Sequence, residues 1–247
     1  MPASIAEIAP DVFRLSIYNP DFDLQFNHFL VRDEEPLLYH AGMRRMFPEL
    51  KEAVASLIDP AALRWISFSH FEVDECGALN DWLALAPNAT AAAGTIGTLV
   101  NLGDYAIRPA RGMQAGEVLE TGRYRFQYQP TPHLPHGWDA GVLFEETQRT
   151  LFCSDLFHHA GECEPVAGAD ILERTADTIH SMQLGPLMDY MPWTPKTEQL
   201  LEQLATLEPR TLAIMHGSSL VGDGAAALRK LGPIFKEVFG EAPVAAR

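Results

Sequence analysis

Cysteine is scarce in this chain: three among 247 residues, Cys76, Cys153 and Cys163. An odd count without paired spacing fits a reducing cytoplasm better than a disulfide framework. Positive charge is also short. Lys plus Arg number 18 against 33 Asp plus Glu, for a net charge of −15. So acidic a surface repels phosphate backbones, and nucleic acid is not an expected partner. No apolar run approaches the length that spans a bilayer, so no membrane partner is expected either. The start, Met1-Pro-Ala-Ser-Ile-Ala-Glu7, lacks the basic residues and apolar centre of a signal peptide. Repeats, low-complexity tracts and linker-like stretches are missing too. Residues 1–247 therefore read as one domain, large enough to bury a full core, with 47% apolar and 21% charged residues.

What the chain does have is ligand-type side chains placed just after short apolar runs. Residues 63–68, Leu-Arg-Trp-Ile-Ser-Phe, read as a buried strand. A helical pattern follows over 75–85, with Leu79, Trp82, Leu83 and Ala86 on one face. Between the two, His70, Glu72, Asp74 and Glu75 crowd into six positions. Sites collect at such strand ends in α/β sheets. Asp74 and Glu75 also suit the positive end of a helix, but capping accounts for at most two of the four residues.

Further strands are expected at 11–18, where the residues alternate as in a half-buried strand, and at 27–32, 36–40 and 89–92. The series continues with two strands around Glu120-Thr121-Gly122, a hairpin of 141–145 and 150–153, and 211–215. Helices are expected at about 44–57, 95–102, 169–184, 195–206 and 223–239. The layout is mixed α/β (α+β), two sheets sandwiched between helices. Later stations repeat the central arrangement: His133 and His136 after a strand ending near Tyr128, Asp155 after Leu151-Phe-Cys-Ser, and His216 after Leu212-Ala-Ile-Met. Each alone is an ordinary polar strand end. Together they fall on one rim of a sheet, where they can converge on metal.

The series His70-Phe-Glu72-Val-Asp74-Glu75, then His133/His136, Asp155 and His216-Gly217, resembles the metallo-β-lactamase superfamily. Within it the chain is most similar to the di-iron branch, the flavodiiron and oxygen-binding di-iron proteins, whose pattern is His-x-Glu-x-Asp-His. The resemblance covers nearly the whole chain and implies the αββα four-layer sandwich with a two-metal site. It implies His70, Glu72 and His136 on one metal, Asp155 as the bridging carboxylate, and Asp74 and His216 on the second. His133 competes with His136 for the third station; His136 is preferred because His136-Gly-Trp-Asp139 falls into the branch's His-x-x-Asp register. The departure is Glu75, where the branch has a histidine. It reads either as an extra carboxylate ligand or as a residue that only favours the helix start. As a ligand it would make four carboxylates, nearly balancing two divalent cations.

An oxygen-rich donor set of this kind suits two iron ions, with two manganese or two zinc ions as alternatives. The resemblance then implies binding or reduction of dioxygen or a similar diatomic, with an external electron donor. The alternative is a dinuclear hydrolase of an ester, thioester or phosphoester, in which Asp74 would orient the attacking hydroxide. The chain stops where a flavodiiron protein would begin its flavodoxin domain, so no flavin is expected. His158 and His159 follow Asp155 where flavodiiron proteins keep a histidine by the metals; His159 is the one assigned a catalytic role, although a loop histidine commonly faces solvent. His28 reads equally as a pocket residue or core packing, and His40 carries no spacing argument. Tyr190, with Met182, Met188, Met191 and Trp193, could roof the site or fill the core. A homodimer would be ordinary for the superfamily.

Overall fold

The computed structural model describes residues 2–168 and 170–240. Two seven-stranded sheets lie face to face between layers of helix. The first runs, in spatial order, β1 (Ser4–Ala9), β2 (Val12–Asn19), β3 (Leu24–Val31), β4 (Leu37–Tyr39), β5 (Trp65–Ser67), β6 (Thr90–Gly94) and β7 (Arg111–Met113). Across the second the order is Val166–Ala167 (β12), Ser219–Val221 (β14), Thr211–Ile214 (β13), Thr150–Ser154 (β11), Gly141–Glu145 (β10), Arg125–Pro130 (β9) and Val118–Glu120 (β8). This is the expected αββα sandwich.

Three apolar layers hold it together. Phe13, Leu15 and Ile17 of β2 pack with Leu50 and Val54 of helix Phe47–Ala55 and with Leu79, Trp82 and Leu83 of helix Leu79–Leu85. Val142, Phe144, Leu151 and Ile214 of the second sheet pack with helices Ile171–Met182, Thr197–Thr206 and Gly224–Phe239. Between the sheets, Val12, Phe29, Val31 and Tyr39 meet Phe126, Leu143 and Phe152. The helix expected from about 169 begins at Ile171, position 169 lying outside the described residues. Gly77 and Ala78 split the expected 75–85 helix into Val73–Cys76 and Leu79–Leu85.

β2 departs from the half-buried expectation. Its polar face is covered by the second sheet, so Arg14 is 1% exposed and Ser16 3%. The buried polar groups there are put to use. Arg14 donates to Gln25 Oε1 (2.7 Å) and to the Gly217 carbonyl (2.9 Å). Asn27 donates to the carbonyls of Ile214 (2.8 Å) and Gly217 (2.6 Å). These bonds clamp the turn carrying His216 onto the first sheet.

Strand direction decides where the stations fall. β9 and β10 are antiparallel, β10 and β11 antiparallel, and β11 and β13 parallel, so β9, β11 and β13 all run the same way. Their C-terminal ends, at Pro130, Ser154 and Ile214, therefore share one edge of the sheet. The end of β5 comes to the same seam, where the Gly141 N–H donates to the Ser69 carbonyl at 3.0 Å.

Asn27→Ala removes the amide that donates to the Ile214 and Gly217 carbonyls, leaving Arg14 as the remaining side-chain clamp on Gly217. A loss of about 1–3 kcal/mol is expected by chemical denaturation, and a change within experimental error would contradict the clamp.

Candidate metal centre

The turn after β5 carries His70 and then Glu72, which sits in an extended conformation (φ −135°, ψ 157°) at the start of helix Val73–Cys76. That conformation turns its carboxylate back over the turn: Glu72 Oε2 lies 3.1 Å from His70 Nε2 and 3.3 Å from His136 Nε2. His136 Nε2 is in turn 3.0 Å from Asp155 Oδ2, and His70 Nε2 is 3.7 Å from the same oxygen. The other oxygen of Asp155 faces a second group. Asp155 Oδ1 is 3.1 Å from His216 Nε2, which is 3.4 Å from Asp74 Oδ2. Asp155, 2% exposed, thus stands between two sets of nitrogen and oxygen donors.

The far sides of the rings are tied down. His216 Nδ1 bonds the Gln25 carbonyl at 2.9 Å, and His70 Nδ1 meets Ser69 Oγ at 3.2 Å. Each therefore presents Nε2 to the cluster, the orientation ligand histidines need. Asp139 fastens the His136 loop to the His70 turn: it accepts from the Phe71 N–H at 3.2 Å and from Asn101 Nδ2 at 2.9 Å. Gly217 has φ +111°, and a Cβ there would lie 2.3 Å from the His159 ring, so only glycine fits beside His216.

Charge is concentrated here. Burial disfavours the carboxylate of Asp155, but His136 and His216 outweigh it and hold the group well below the usual carboxyl range. Burial likewise disfavours protonated His70, yet Glu75, Glu72 and Asp155 push it up to about 10. His216 goes the same way, against burial, through Asp155 and Asp74, also to about 10.

A family model, ODP family beta lactamase, matches residues 24–217, a stretch that includes every member of this cluster. The chain belongs to that family. Among curated proteins it is 24% identical over 246 residues to flavo-diiron protein FprA2 of Clostridium acetobutylicum, covering 93% of this chain and 60% of the relative. It is 25% identical over 202 residues to the rubredoxin-oxygen oxidoreductase of Megalodesulfovibrio gigas, covering 78% of this chain and 48% of that protein. Another match, a putative diflavin flavoprotein A 1 of Thermosynechococcus vestitus, is 28% identical over 62% of this chain and 29% of its own length. The chain thus spans from under a third to three fifths of these relatives. Of solved structures, rubredoxin oxygen:oxidoreductase from Desulfovibrio gigas superposes with a TM-score of 0.81 at 18% identity, over 95% of this chain and 62% of that one. A fragment of putative diflavin flavoprotein A 5 from Nostoc sp. gives 0.75 at 16% identity, over 96% of both chains. The shared fold is that of the ODP-family domain.

Other candidate residues of the ODP-family chain divide between the cluster and its surroundings. His133 is exposed, with φ +65°, outside the cluster that contains His136. His158 and His159 are both buried rather than solvent-facing, at 3% and 1% exposure. The expected catalytic role for His159 does not fit its surroundings: Nδ1 bonds the Phe157 carbonyl (2.9 Å) and Nε2 accepts from the Ser218 N–H (2.9 Å). Both nitrogens are used by backbone, and the ring is a strut. His158 is the neighbour whose ring faces the cluster, 4.6 Å from that of His216. Tyr190 roofs the site, its ring 4.8 Å from His136, whereas Met188 is exposed and Met191 lies in the second core. Burial and then the cluster's carboxylates keep the Tyr190 phenol protonated, well above its ordinary pKa.

Glu75 is 1% exposed and already engaged: Oε2 accepts from the Ser69 N–H at 2.6 Å, and the Ser154 hydroxyl donates to Oε1. Oε1 also lies 3.6 Å from His70 Nδ1, the ring edge turned away from Glu72, and 3.5 Å from His40 Nε2. One donor atom each of His70, Glu75 and Asp155 fall within 4.8 Å of one another, as do those of His70, Glu72 and His136. His40 was invisible in the sequence because its distance from Glu75 is set by β4, not by spacing. His28 is fully buried with Nδ1 on the His40 carbonyl at 3.1 Å, a core position. No helix among the described residues is long and apolar enough to cross a membrane.

The raised histidines give the metal-free protein a pH signature. Stability from their protonated forms is complete below their ordinary value of 6.5 and is lost as pH rises through about 10. Denaturation in chelator across that range should show a decline with pH; a level or rising profile would contradict it.

Proposed function

We propose that the chain is a non-haem di-iron protein that binds or reduces dioxygen or a similar diatomic. The observation that carries this is Asp155, whose two buried oxygens each meet a separate set of donors. The donors suit a pair of cations. Asp155 Oδ1 is buried without a hydrogen-bond donor although His216 Nε2 is 3.1 Å away, and a cation between the two satisfies both. Imidazole and carboxylate donors without thiolate favour iron or manganese over a soft metal. The names of the relatives, a flavo-diiron protein and a rubredoxin-oxygen oxidoreductase, favour oxygen chemistry over the hydrolase alternative.

In this reading His70, Glu72 and His136 would hold the first cation and Asp74 and His216 the second, with Asp155 offering one oxygen to each. Ferrous ions held there would supply two electrons together to a bound diatomic. The protein's own residues govern access and protons. Glu72, with a side chain 44% exposed, and His136, 17% exposed, form the mouth. Tyr190 covers that mouth and keeps a phenolic proton available beside Asp155. Glu75 acts through His70: fixed by Ser69 and Ser154, it faces the Nδ1 edge and holds the ring's Nε2 toward the cluster. In this reading Glu75 positions His70 instead of serving as a ligand. Electrons come from an external donor, a separate domain or another protein.

Protein loaded anaerobically with ferrous iron should retain about two irons per chain and change its absorption in air. One iron or none, or a preference for zinc with ester turnover, would refute the proposal. His136→Ala should lose far more iron than His133→Ala; the reverse order would exchange their roles. Glu75→Gln keeps the acceptor for Ser69 and should leave iron content unchanged, whereas loss of an iron would restore Glu75 as a ligand.

A further inference from the structure

The two donor sets are unequal once Glu75 is taken up by Ser69 and Ser154. The first has two imidazoles, His70 and His136, with Glu72 and one oxygen of Asp155. The second has a single imidazole, His216, with Asp74 and the other oxygen of Asp155. Beside that second set lies an imidazole with nothing to do. His158 is 3% exposed, and neither Nδ1 nor Nε2 has a hydrogen-bond partner. Among the buried histidines of the described residues it alone lacks a partner on both nitrogens; His28 and His40 each anchor Nδ1 on a backbone carbonyl. Buried polar groups are seldom left so, and an unmet pair usually marks a ligand or ion.

The ring spacing is compatible with an ion, although the ligand-atom groups that fall within 4.8 Å of one another among the described residues do not include His158. Two imidazoles at right angles on one ion, with metal–nitrogen bonds of about 2.1 Å and about 1.1 Å more to each ring centre, have centres about 4.5 Å apart. The His70 and His136 rings of the first set are 4.2 Å apart. The His158 and His216 rings are 4.6 Å apart. The backbone holds His158 in place, since its N–H donates to the Asp155 carbonyl at 3.0 Å, one turn of chain from the bridging carboxylate.

We infer that His158 is the second imidazole of the second cation, filling the place that a histidine at position 75 fills in the di-iron branch. The inference rests on the two-cation reading above. It makes the donor sets alike: two imidazoles, one terminal carboxylate and one oxygen of Asp155 on each side. The rival role for His158, a hydrogen-bond donor to the bound diatomic, leaves both cations in place when the ring is removed, so the two are separable by metal content alone.

The test compares iron per chain in the unmutated protein and in His158→Ala, each loaded anaerobically with ferrous iron and desalted, with the near-ultraviolet circular dichroism spectrum as the check of fold. The expected result is that His158→Ala retains half the iron of the unmutated protein and regains the rest when imidazole is added. If His158→Ala keeps all its iron, the inference is overturned while the di-iron reading stands. If the unmutated protein itself holds no more than one iron, the di-iron reading falls and the inference with it. Should the variant fail to fold, the cobalt-loaded unmutated protein decides by proton resonance. One hyperfine-shifted, exchangeable ring N–H for each of His70, His136, His158 and His216 supports the inference, and absence of the His158 signal overturns it.

Discussion

A carboxylate buried at the seam of two sheets is the constraint from which the rest of the site follows. Asp155 is 2% exposed, and a carboxylate there is tolerable only with polar partners on both sides. The fold supplies that by bringing His136 to one oxygen and His216 to the other, at 3.0 and 3.1 Å. Neither histidine is near Asp155 in sequence. Both reach it because β9, β11 and β13 run in one direction and stop at one edge. Ser154, just before Asp155, takes a left-handed conformation (φ +51°), so the chain leaves the strand abruptly and turns the carboxylate into the seam.

The second sheet alone could not complete the cluster. His70, Glu72 and Asp74 come from the first, and the sheets must keep register to within a fraction of an ångström for the donors to meet. Polar bonds across the interface do this where apolar packing would tolerate sliding. Arg14 and Asn27, both buried, hold the carbonyls around His216, and Asp139 holds the Phe71 N–H beside His70. The inter-sheet layer is therefore polar near the site and apolar away from it, where Phe29, Tyr39, Phe126 and Phe152 interlock.

Much of this was legible before any coordinates. The αββα layers followed from alternating strands and helices, and the stations at His70, Asp155 and His216 from their places after apolar runs. What stayed hidden depended on direction rather than position. Arg14 looked like the solvent side of a strand because nothing local announces the sheet that covers it. The strands Ser4–Ala9, Arg111–Met113, Val166–Ala167 and Ser219–Val221 were missed, the last three being only two or three residues long. His158 and His159 are adjacent and chemically identical, and a left-handed Phe157 (φ +65°) before them sends one ring to the cluster and the other to the Ser218 amide. Glu75 was visible as a departure from pattern, but its role turned on which way a carboxylate points. That was decided by the amide of Ser69 and the hydroxyl of Ser154, the latter far along the chain.

In the two-cation reading, protons and cations would compete for the same donors. Glu72, Asp74 and Asp155 carry three negative charges into one small volume, with Glu75 close behind. Without metal, that field draws protons onto His70 and His216, raising both to about 10 despite burial. The imidazolium ions then offset the charge of Asp155, His216 at 3.1 Å from one oxygen and His70 at 3.7 Å from the other. A cation must displace those protons to bind, so affinity falls as pH falls. The same field that holds the protons attracts the metal, and a divalent ion gains more from it than a singly charged ring does. In the metal-free cluster, the protons on His70 and His216 thus offset the repulsion among its carboxylates.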